Sequence, residues 1–185
     1  MSVTKLLSRV VTPDKIDYRD MRYKAKAGGS SALHEYTFGI TSDPLTQFAV
    51  AFSALVHDVD HTGVPNARLV EEGDHLAKTY REKSVAEQHS IQLAWDLLME
   101  PAYKDLRRCI YTSQVESDRF RALLVNVVMA TDIADKSLGA LRRRRWEKEF
   151  SNAKMEASDQ NSTNRKATIV IEHLIQASDV AHTMQ

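Results

Sequence analysis

Two histidines and two aspartates fall within five residues, His57-Asp58-Val59-Asp60-His61, at the end of a strongly apolar stretch. Imidazole nitrogen and carboxylate oxygen are the ligands that hydrolytic Zn, Mg and Mn sites require. Adjacent His57 and Asp58 can present both ligand types to one ion. A structural alternative is that polar residues at a helix C-terminus only form hydrogen bonds with the free carbonyls and interact with the negative end of the helix dipole. Because the cluster is so dense, the sequence predicts a metal site that supports hydrolysis.

Three further segments carry polar side chains that could join such a site. Ser84 and Glu87 have the S-x-x-E spacing of a capping box, in which Glu87 would only accept a hydrogen bond from the Ser84 amide, and spacing alone favours this structural interpretation. Asp132 follows Thr131 and could either orient a ligand or end a helix. Asp179 interrupts an apolar helix face. Since an inward carboxylate without a partner is costly, Asp179 should lie near a cation.

Helical periodicity dominates the chain, and the alternation of β-hairpins is hard to find, so the expected fold class is all-α. Ser42 or Asp43 can cap a helix that begins at Pro44 and ends near the five-residue cluster. The segment 63–73 contains Pro and Gly and should be a connector with at most a short helix. A helical bundle can bring residues that are distant in sequence to one metal pocket. The remaining helices are predicted from Ser84, over 118–131, over 138–150 and from Arg165.

The composition is that of an ordinary globular domain. The 185 residues can form one full core, and 25 basic residues balance 25 acidic ones, which gives no support for nucleic-acid binding. No apolar run approaches the roughly 20 residues that span a bilayer, and a secretory signal is not found. The single Cys109 is expected to be a buried apolar thiol in a reducing compartment. We therefore predict a cytoplasmic protein, although a longer parent protein could be tethered to a membrane.

Two polar segments are expected to have structural roles and no binding function. The four arginines at 142–145 are expected to form a solvated helix face rather than a binding patch. The segment 151–164, rich in Ser and Asn, is expected to be a flexible surface loop. No internal repeat divides the chain.

Taken together, four segments resemble the class I cyclic nucleotide phosphodiesterases, whose catalytic domain is an all-helical bundle of the HD metal-hydrolase group. Their order and approximate spacing also match, over about two thirds of the chain. The first segment is highly specific to that family, and the others add weight together. The resemblance implies a single, incomplete catalytic domain over 1–185. The segments are HDVDHTGVPNARL at 57–69, SVAEQHS at 84–90, ATDIADK at 130–136 and ASDVAH at 177–182.

The resemblance implies a role for each matching residue. His57, Asp58 and Asp179 match ligands of a tightly bound first ion, usually Zn, and Asp58 also matches a bridge to a second ion, usually Mg or Mn. His61 matches a catalytic histidine beside the substrate phosphate. Glu87 matches a catalytic group that holds metal-bound water. The other matches are two groups that orient ligands, Thr131 and Asp132, and two positions at the substrate pocket, Asn66 and His182.

The implied reaction is hydrolysis of a 3',5'-cyclic nucleotide, cAMP or cGMP, to the 5'-monophosphate in cyclic nucleotide signalling. Two divalent cations would share a bridging water, lower its pKa and stabilise the charge that builds on the phosphoryl oxygens. The expected partner is the cyclic nucleotide, with no nucleic acid and no direct membrane insertion. Regulatory domains could belong to a longer parent protein.

The chain departs from the family upstream of His57. The family's Y-H-N-x-x-H-A motif, which supplies the general acid and a further metal ligand, does not precede this residue. His34 is the only earlier histidine and is expected to be a surface or loop residue. Because the family's purine-binding region does not follow Asp179 either, we expect a truncated domain. Two alternatives stay open, an inactive metal-binding or regulatory fragment and an HD-type hydrolase of noncyclic nucleotides.

Overall fold

The computed structural model describes residues 3–11, 34–151 and 160–181. Within these ranges the secondary structure is helical and contains no β-strand, which confirms the all-α prediction. Short 3-10 turns occur at Ile40–Ser42 and Pro101–Tyr103, and a π-helical turn at Glu147–Ser151. The α-helices are α1 (Val3–Val11), α2 (Pro44–Val56), α3 (Asn66–Glu71), α4 (His75–Thr79), α5 (Val85–Met99), α6 (Lys104–Ile110), α7 (Gln114–Met129), α8 (Lys136–Trp146) and α9 (Gln160–Ala181).

Helix α2 begins as predicted, with Asp43 as its N-cap and Pro44 as its first residue. The Asp43 carboxylate accepts hydrogen bonds from the Thr46 amide at 3.1 Å and the Thr46 hydroxyl at 2.6 Å. Arg119 of α7 donates from both terminal nitrogens to the same carboxylate. The cap therefore also ties the start of α2 to α7.

Replacing Asp43 is expected to destabilise the fold. Asp43→Ala removes the cap and the ion pair and should lower the free energy of unfolding by about 1–2 kcal/mol, whereas Asp43→Asn keeps a capping oxygen and should cost less. Burial raises the pKa of Asp43, but hydrogen bonds from Arg119 and Thr46 outweigh burial and set it below its ordinary value. This contribution is therefore present at neutral pH and is lost as the pH falls through the lowered pKa. Urea unfolding at neutral and acidic pH measures it, and an unchanged stability of Asp43→Ala at neutral pH would contradict the assignment.

The core is built around α7. Four apolar residues of this helix are buried, namely Phe120, Leu124, Val127 and Val128. Val127 packs in a cluster with residues of α1, α2 and α9, while Phe120 packs against aromatic side chains of α2 and α5. Because α2 and α9 share this cluster, their C-terminal ends lie side by side.

Helix α7 begins at Gln114, four residues before the predicted start. Ser113 and Glu116 form a capping box there, upstream of the first buried apolar residue, so the apolar pattern alone misses the first turn. The predicted connector 63–73 does contain a short helix, α3. Helix α8 ends at Trp146, and its predicted continuation forms the π-helical turn.

The expected loop 151–164 is helical at its described residues, which are 151 and 160–164. Residues 152–159 lie outside the described residues. Helix α9 already begins at Gln160, where the sequence predicts loop. Glu149 accepts hydrogen bonds from the Ser162 hydroxyl at 3.2 Å and from Arg165 Nε at 2.6 Å. These tertiary contacts hold the polar first turns of α9 in a helix despite their low helix propensity.

The arginine run is not simply a solvated face. The middle two arginines of 142–145 are exposed, as predicted. Arg142 instead donates to the Asp132 backbone oxygen at 2.8 Å, and Arg145 donates to the carboxylate of Glu172 at 2.6 Å. Since Glu172 is buried, its charge needs the nearby guanidinium. The two outer arginines therefore donate hydrogen bonds to groups of buried residues.

Three other expectations concern surface features. Cys109 is exposed rather than buried, because α6 is a short helix without a buried residue. His34 is exposed, as expected, and its Nδ1 lies 2.6 Å from the Ser42 hydroxyl. In the described part of the chain, none of the helices combines the length and the apolar character that crossing a bilayer requires.

Candidate metal centre

The C-terminal ends of α2 and α9 meet at a cleft of about 350 Å³. His57 follows the last residue of α2, Asp58 is the next residue of the turn, and Asp179 lies in the last turn of α9. Val3 and Thr4 at the start of α1 line the same cleft. Each of the three polar residues offers a ligand atom, and these atoms lie within 4.8 Å of one another. The structure therefore brings together the three residues predicted as metal ligands.

The His57 ring is oriented by the backbone of its own helix. Its Nδ1 lies 3.0 Å from the carbonyl oxygen of Ala54, which can only accept, so Nδ1 carries a proton and Nε2 has the lone pair of a neutral ring. Nε2 lies 3.0 Å from Asp58 Oδ2 and 3.4 Å from Asp179 Oδ1. Although Nε2 is buried, neither carboxylate forms a hydrogen bond with it. The Nε2 atom is therefore surrounded by negative oxygens and left without a donor or an acceptor.

A divalent cation fits this arrangement. A lone pair that faces two carboxylate oxygens is unfavourable unless a positive charge lies between them. Imidazole and carboxylate are ligands of Zn and Mn, and a metal-binding histidine usually donates its other ring N–H to a carbonyl, as His57 does. The Asp58 side chain is 64% exposed, so its carboxylate is also accessible from solvent.

A second polar group of residues surrounds Glu87, near the start of α5. Glu87 Oε2 accepts a hydrogen bond from Asn66 Nδ2 at 2.8 Å, and Asn66 Oδ1 accepts one from the Ala86 amide at 2.9 Å. Burial raises the pKa of Glu87, and the negative charge of Asp132 acts in the same direction. The hydrogen bond from Asn66, a backbone hydrogen bond and the nearby His61 oppose this effect only in part. Glu87 therefore holds a proton more readily than an ordinary glutamate does.

His61 lies in the turn that follows the predicted ligands. Its Nδ1 accepts a hydrogen bond from the Gly63 amide at 2.9 Å. In this tautomer the proton of the neutral ring is on Nε2, which can then act as a donor. His61 is exposed and close enough to Glu87 to influence the pKa of that residue.

Asp132 is buried at the end of α7, and both of its carboxylate oxygens accept hydrogen bonds. Oδ2 accepts from the Ser84 hydroxyl at 2.6 Å, and Oδ1 accepts from the Asp135 amide at 3.1 Å. The neighbouring Thr131 is also buried and donates from its hydroxyl to the Val128 carbonyl oxygen at 2.7 Å. The predicted part of Thr131 and Asp132 in orienting ligands stays a prediction.

The capping box expected at Ser84 and Glu87 is wrong. Ser84 has φ 39° and ψ 52°, a left-handed conformation, and its side chain accepts no hydrogen bond from the first turn of α5. Its hydroxyl instead donates to Asp132, and Asn66 accepts the hydrogen bond from the Ala86 amide. Tertiary partners have therefore replaced both halves of the local motif.

Of the two residues predicted at the substrate pocket, the structure describes only Asn66. Asn66 uses its amide nitrogen on Glu87 and its amide oxygen on the start of α5. His182 lies outside the described residues. Contact of either residue with a substrate stays a prediction.

Sequence reasoning missed a second connection between the turn and α5. His89 Nε2 lies 2.8 Å from Asp60 Oδ2, and the Ser90 hydroxyl donates to the Val59 carbonyl oxygen at 2.8 Å. These bonds fasten the turn that carries the predicted ligands to the helix that carries Glu87. The only available signal was the unexplained second acid of the five-residue cluster, and its partner could not be chosen among the histidines from spacing.

The chain is similar to known proteins. A model of the 3',5'-cyclic nucleotide phosphodiesterase family matches residues 30–185. The chain is 34% identical over 87 residues to a dual specificity calcium/calmodulin-dependent 3',5'-cyclic nucleotide phosphodiesterase 1C of Mus musculus, which is 47% of this chain and 12% of the relative. It is 38% identical over 90 residues to the cGMP-inhibited 3',5'-cyclic phosphodiesterase 3A of Homo sapiens, which is 48% of this chain and 8% of the relative.

The fold is also similar to a solved structure. The phosphodiesterase domain of the RhoPDE fusion protein from the choanoflagellate Salpingoeca rosetta superposes with a TM-score of 0.59 and 24% sequence identity. The superposition covers 78% of this chain and 46% of that domain. The chain thus spans less than half of the solved domain, and its matches span about an eighth or less of the two curated relatives.

Proposed function

The chain belongs to the 3',5'-cyclic nucleotide phosphodiesterase family, and from that membership we propose that its metal centre serves hydrolysis of cAMP or cGMP to the 5'-monophosphate. The observation that supports this most is His57 Nε2, which lies between Asp58 and Asp179 without a hydrogen-bond partner. A divalent cation held between this nitrogen and the two carboxylates would give all three groups a partner. The proposal treats 1–185 as part of one catalytic domain.

We assign a first cation, Zn, to His57, Asp58 and Asp179. Asp58 is the most exposed of the three and would also bind a second cation, Mg or Mn. When bound, such cations lower the pKa of water and stabilise negative charge on a phosphoryl oxygen. The cleft between α2 and α9 would admit the phosphate from the solvent side.

The other site residues would handle protons and orientation. Glu87 is suited to exchange a proton with a reacting group, because burial raises its pKa above that of an ordinary glutamate. His61 can donate from Nε2 to a phosphoryl oxygen, because the Gly63 amide already occupies Nδ1. The roles proposed for the rest are orientation of ligands, by Thr131 and Asp132, and contact with the substrate, by Asn66 and His182.

The proposal is tested by a substrate panel on the purified chain. We expect 5'-nucleotide release from cAMP, cGMP or both with Zn and either Mg or Mn present. Removal of the cations with a chelator should abolish release, and their return should restore it. Chromatography of the nucleotides distinguishes the product from the cyclic substrate.

Two results would overturn the proposal. Turnover of noncyclic nucleotides alone would support the HD-type nucleotidohydrolase instead. Tight metal binding by calorimetry without turnover of any nucleotide would favour an inactive metal-binding or regulatory role. The cytoplasmic location and the link to longer regulatory domains stay predictions under either result.

A further inference from the structure

Ser84 has an unusual backbone conformation for a residue with a Cβ atom. It lies immediately before α5 with φ 39° and ψ 52°, and it is 4% exposed. Residues other than glycine adopt this left-handed conformation rarely, and they keep it where surrounding contacts fix it. The conformation therefore requires a reason other than helix capping.

A second S-x-x-E motif of the same chain shows what capping looks like. Ser113 is extended, with φ −128° and ψ 161°, and its hydroxyl accepts a hydrogen bond from the Glu116 amide at 3.2 Å. Glu116 in turn accepts a hydrogen bond from the Ser113 amide at 3.3 Å. The Ser84 hydroxyl makes neither kind of contact with α5 and donates to Asp132 Oδ2 at 2.6 Å.

Asn66, and not Ser84, caps the start of α5. Its side-chain oxygen accepts a hydrogen bond from the Ala86 amide at 2.9 Å, so a free amide of the first turn of α5 is satisfied from another segment. The Ser84 hydroxyl is therefore available for a partner that is 48 positions away in the sequence. Both members of that hydrogen bond are buried.

The hydrogen bond determines where the Asp132 carboxylate lies. Oδ2 is held by Ser84, Oδ1 by the Asp135 amide, and the backbone oxygen by Arg142. The negative charge fixed in this way is close enough to raise the pKa of Glu87. The Ser84 donor is the side-chain contact that joins Asp132 to the start of α5, where Glu87 lies.

We propose that Ser84 is a positioning residue, whose hydroxyl fixes the Asp132 carboxylate beside Glu87. The proposal rests on the proposed function, because it is there that Glu87 acts. Asn66 from α3 donates a hydrogen bond to Glu87, and the charges that act on the pKa of Glu87 are those of His61, in the turn after α2, and Asp132, which follows α7. Ser84 acts on Glu87 only through the last of these.

Two substitutions separate positioning from stability. Ser84→Ala removes the hydroxyl and leaves a Cβ in the left-handed conformation, whereas Ser84→Gly removes the hydroxyl and relieves the backbone strain. Ser84→Gly should therefore unfold at a temperature close to that of the wild type, and Ser84→Ala at a lower one. In both variants the Asp132 carboxylate loses its hydrogen bond to the start of α5, so we expect the carboxylate to move away from Glu87.

The measurement is a carbon-13 NMR titration of the Glu87 carboxyl group in metal-free protein, assigned with Glu87→Gln. We expect the pKa of Glu87 to fall towards its ordinary value in Ser84→Gly and Ser84→Ala, and in Asp132→Asn, which removes the charge directly. Ser113→Gly is the matched control from the true capping box. It should lower the unfolding temperature and leave the Glu87 titration unchanged.

A wild-type titration of Glu87 in Ser84→Gly, together with a shifted titration in Asp132→Asn, would overturn the proposal. Neither substrate nor metal enters this experiment. The titration therefore decides the role of Ser84 even if the substrate panel shows no turnover and the proposed function fails.

Discussion

Asp58→Asn is expected to abolish tight binding of the first cation and, with it, hydrolysis of the cyclic nucleotide. The amide keeps the size of the side chain but removes one of two negative charges beside His57 Nε2. Loss of a group that only supports a ligand typically costs ~10 to 100-fold in affinity or activity, and loss of a ligand should cost more. Calorimetric titration with Zn or Mn and the nucleotide assay measure the two losses separately.

Two further variants make this result specific. Asp179→Asn should resemble Asp58→Asn, because its carboxylate faces the same nitrogen. Asp105→Asn should resemble the wild type, because this carboxylate is 94% exposed on α6. Wild-type metal affinity in Asp58→Asn would show that the three residues do not form the metal centre.

Metal binding should also report on the fold. A cation that binds only the folded chain raises stability with its concentration, so the unfolding temperature of the wild type should increase as Zn is added. Asp58→Asn should lack this increase while it keeps a folded state in the absence of metal. The thermal measurement is independent of catalysis.

Local sequence chemistry predicted the start of α2 correctly. Asp43 and Pro44 carry the two signals that a helix N-terminus needs, and both act within a few residues. The buried stripe of α7 was predictable for the same reason, since a period of 3.6 is a property of one segment. The density of ligand types around His57 was likewise local, and the remote partner Asp179 was found through the resemblance and through its place on an apolar face.

Interactions between segments explain what the sequence did not reveal. Ser84 carries a capping-box signal, but its hydroxyl donates to Asp132, and Asn66 accepts the hydrogen bond from the start of α5. Neither partner lies nearby in the sequence. The early start of α9 depends on Glu149 in the same way. A local motif therefore predicts its own geometry only where no buried partner from another segment offers a better one.

Glu87→Gln is expected to separate catalysis from stability. We expect the rate of hydrolysis to fall by on the order of 100-fold, because an amide cannot exchange a proton. The same substitution should stabilise the metal-free protein at neutral pH. Glutamine can still accept the hydrogen bond from Asn66, so the contact that orients the side chain survives.

The sign of the stability effect follows from the raised pKa of Glu87, which has burial as its main cause. A carboxyl group whose pKa is raised by folding contributes stability below its unfolded pKa, and this contribution is lost as the pH rises through the folded pKa. At neutral pH the wild type has lost it, whereas glutamine has no charge to bury. The gain in Glu87→Gln should therefore shrink as the solution is made acidic.

Glu116→Gln is the matched control with the opposite sign. Hydrogen bonds from the Thr112 amide and hydroxyl and from Ser113 lower the pKa of Glu116. Its charged form therefore favours folding at neutral pH, and its replacement should reduce stability there. Urea unfolding of both variants across the acidic range measures the two slopes. A Glu87→Gln variant that is less stable than the wild type at neutral pH would show that burial does not destabilise the charged form of Glu87. The proposed role of Glu87 in proton exchange would then lose its physical basis.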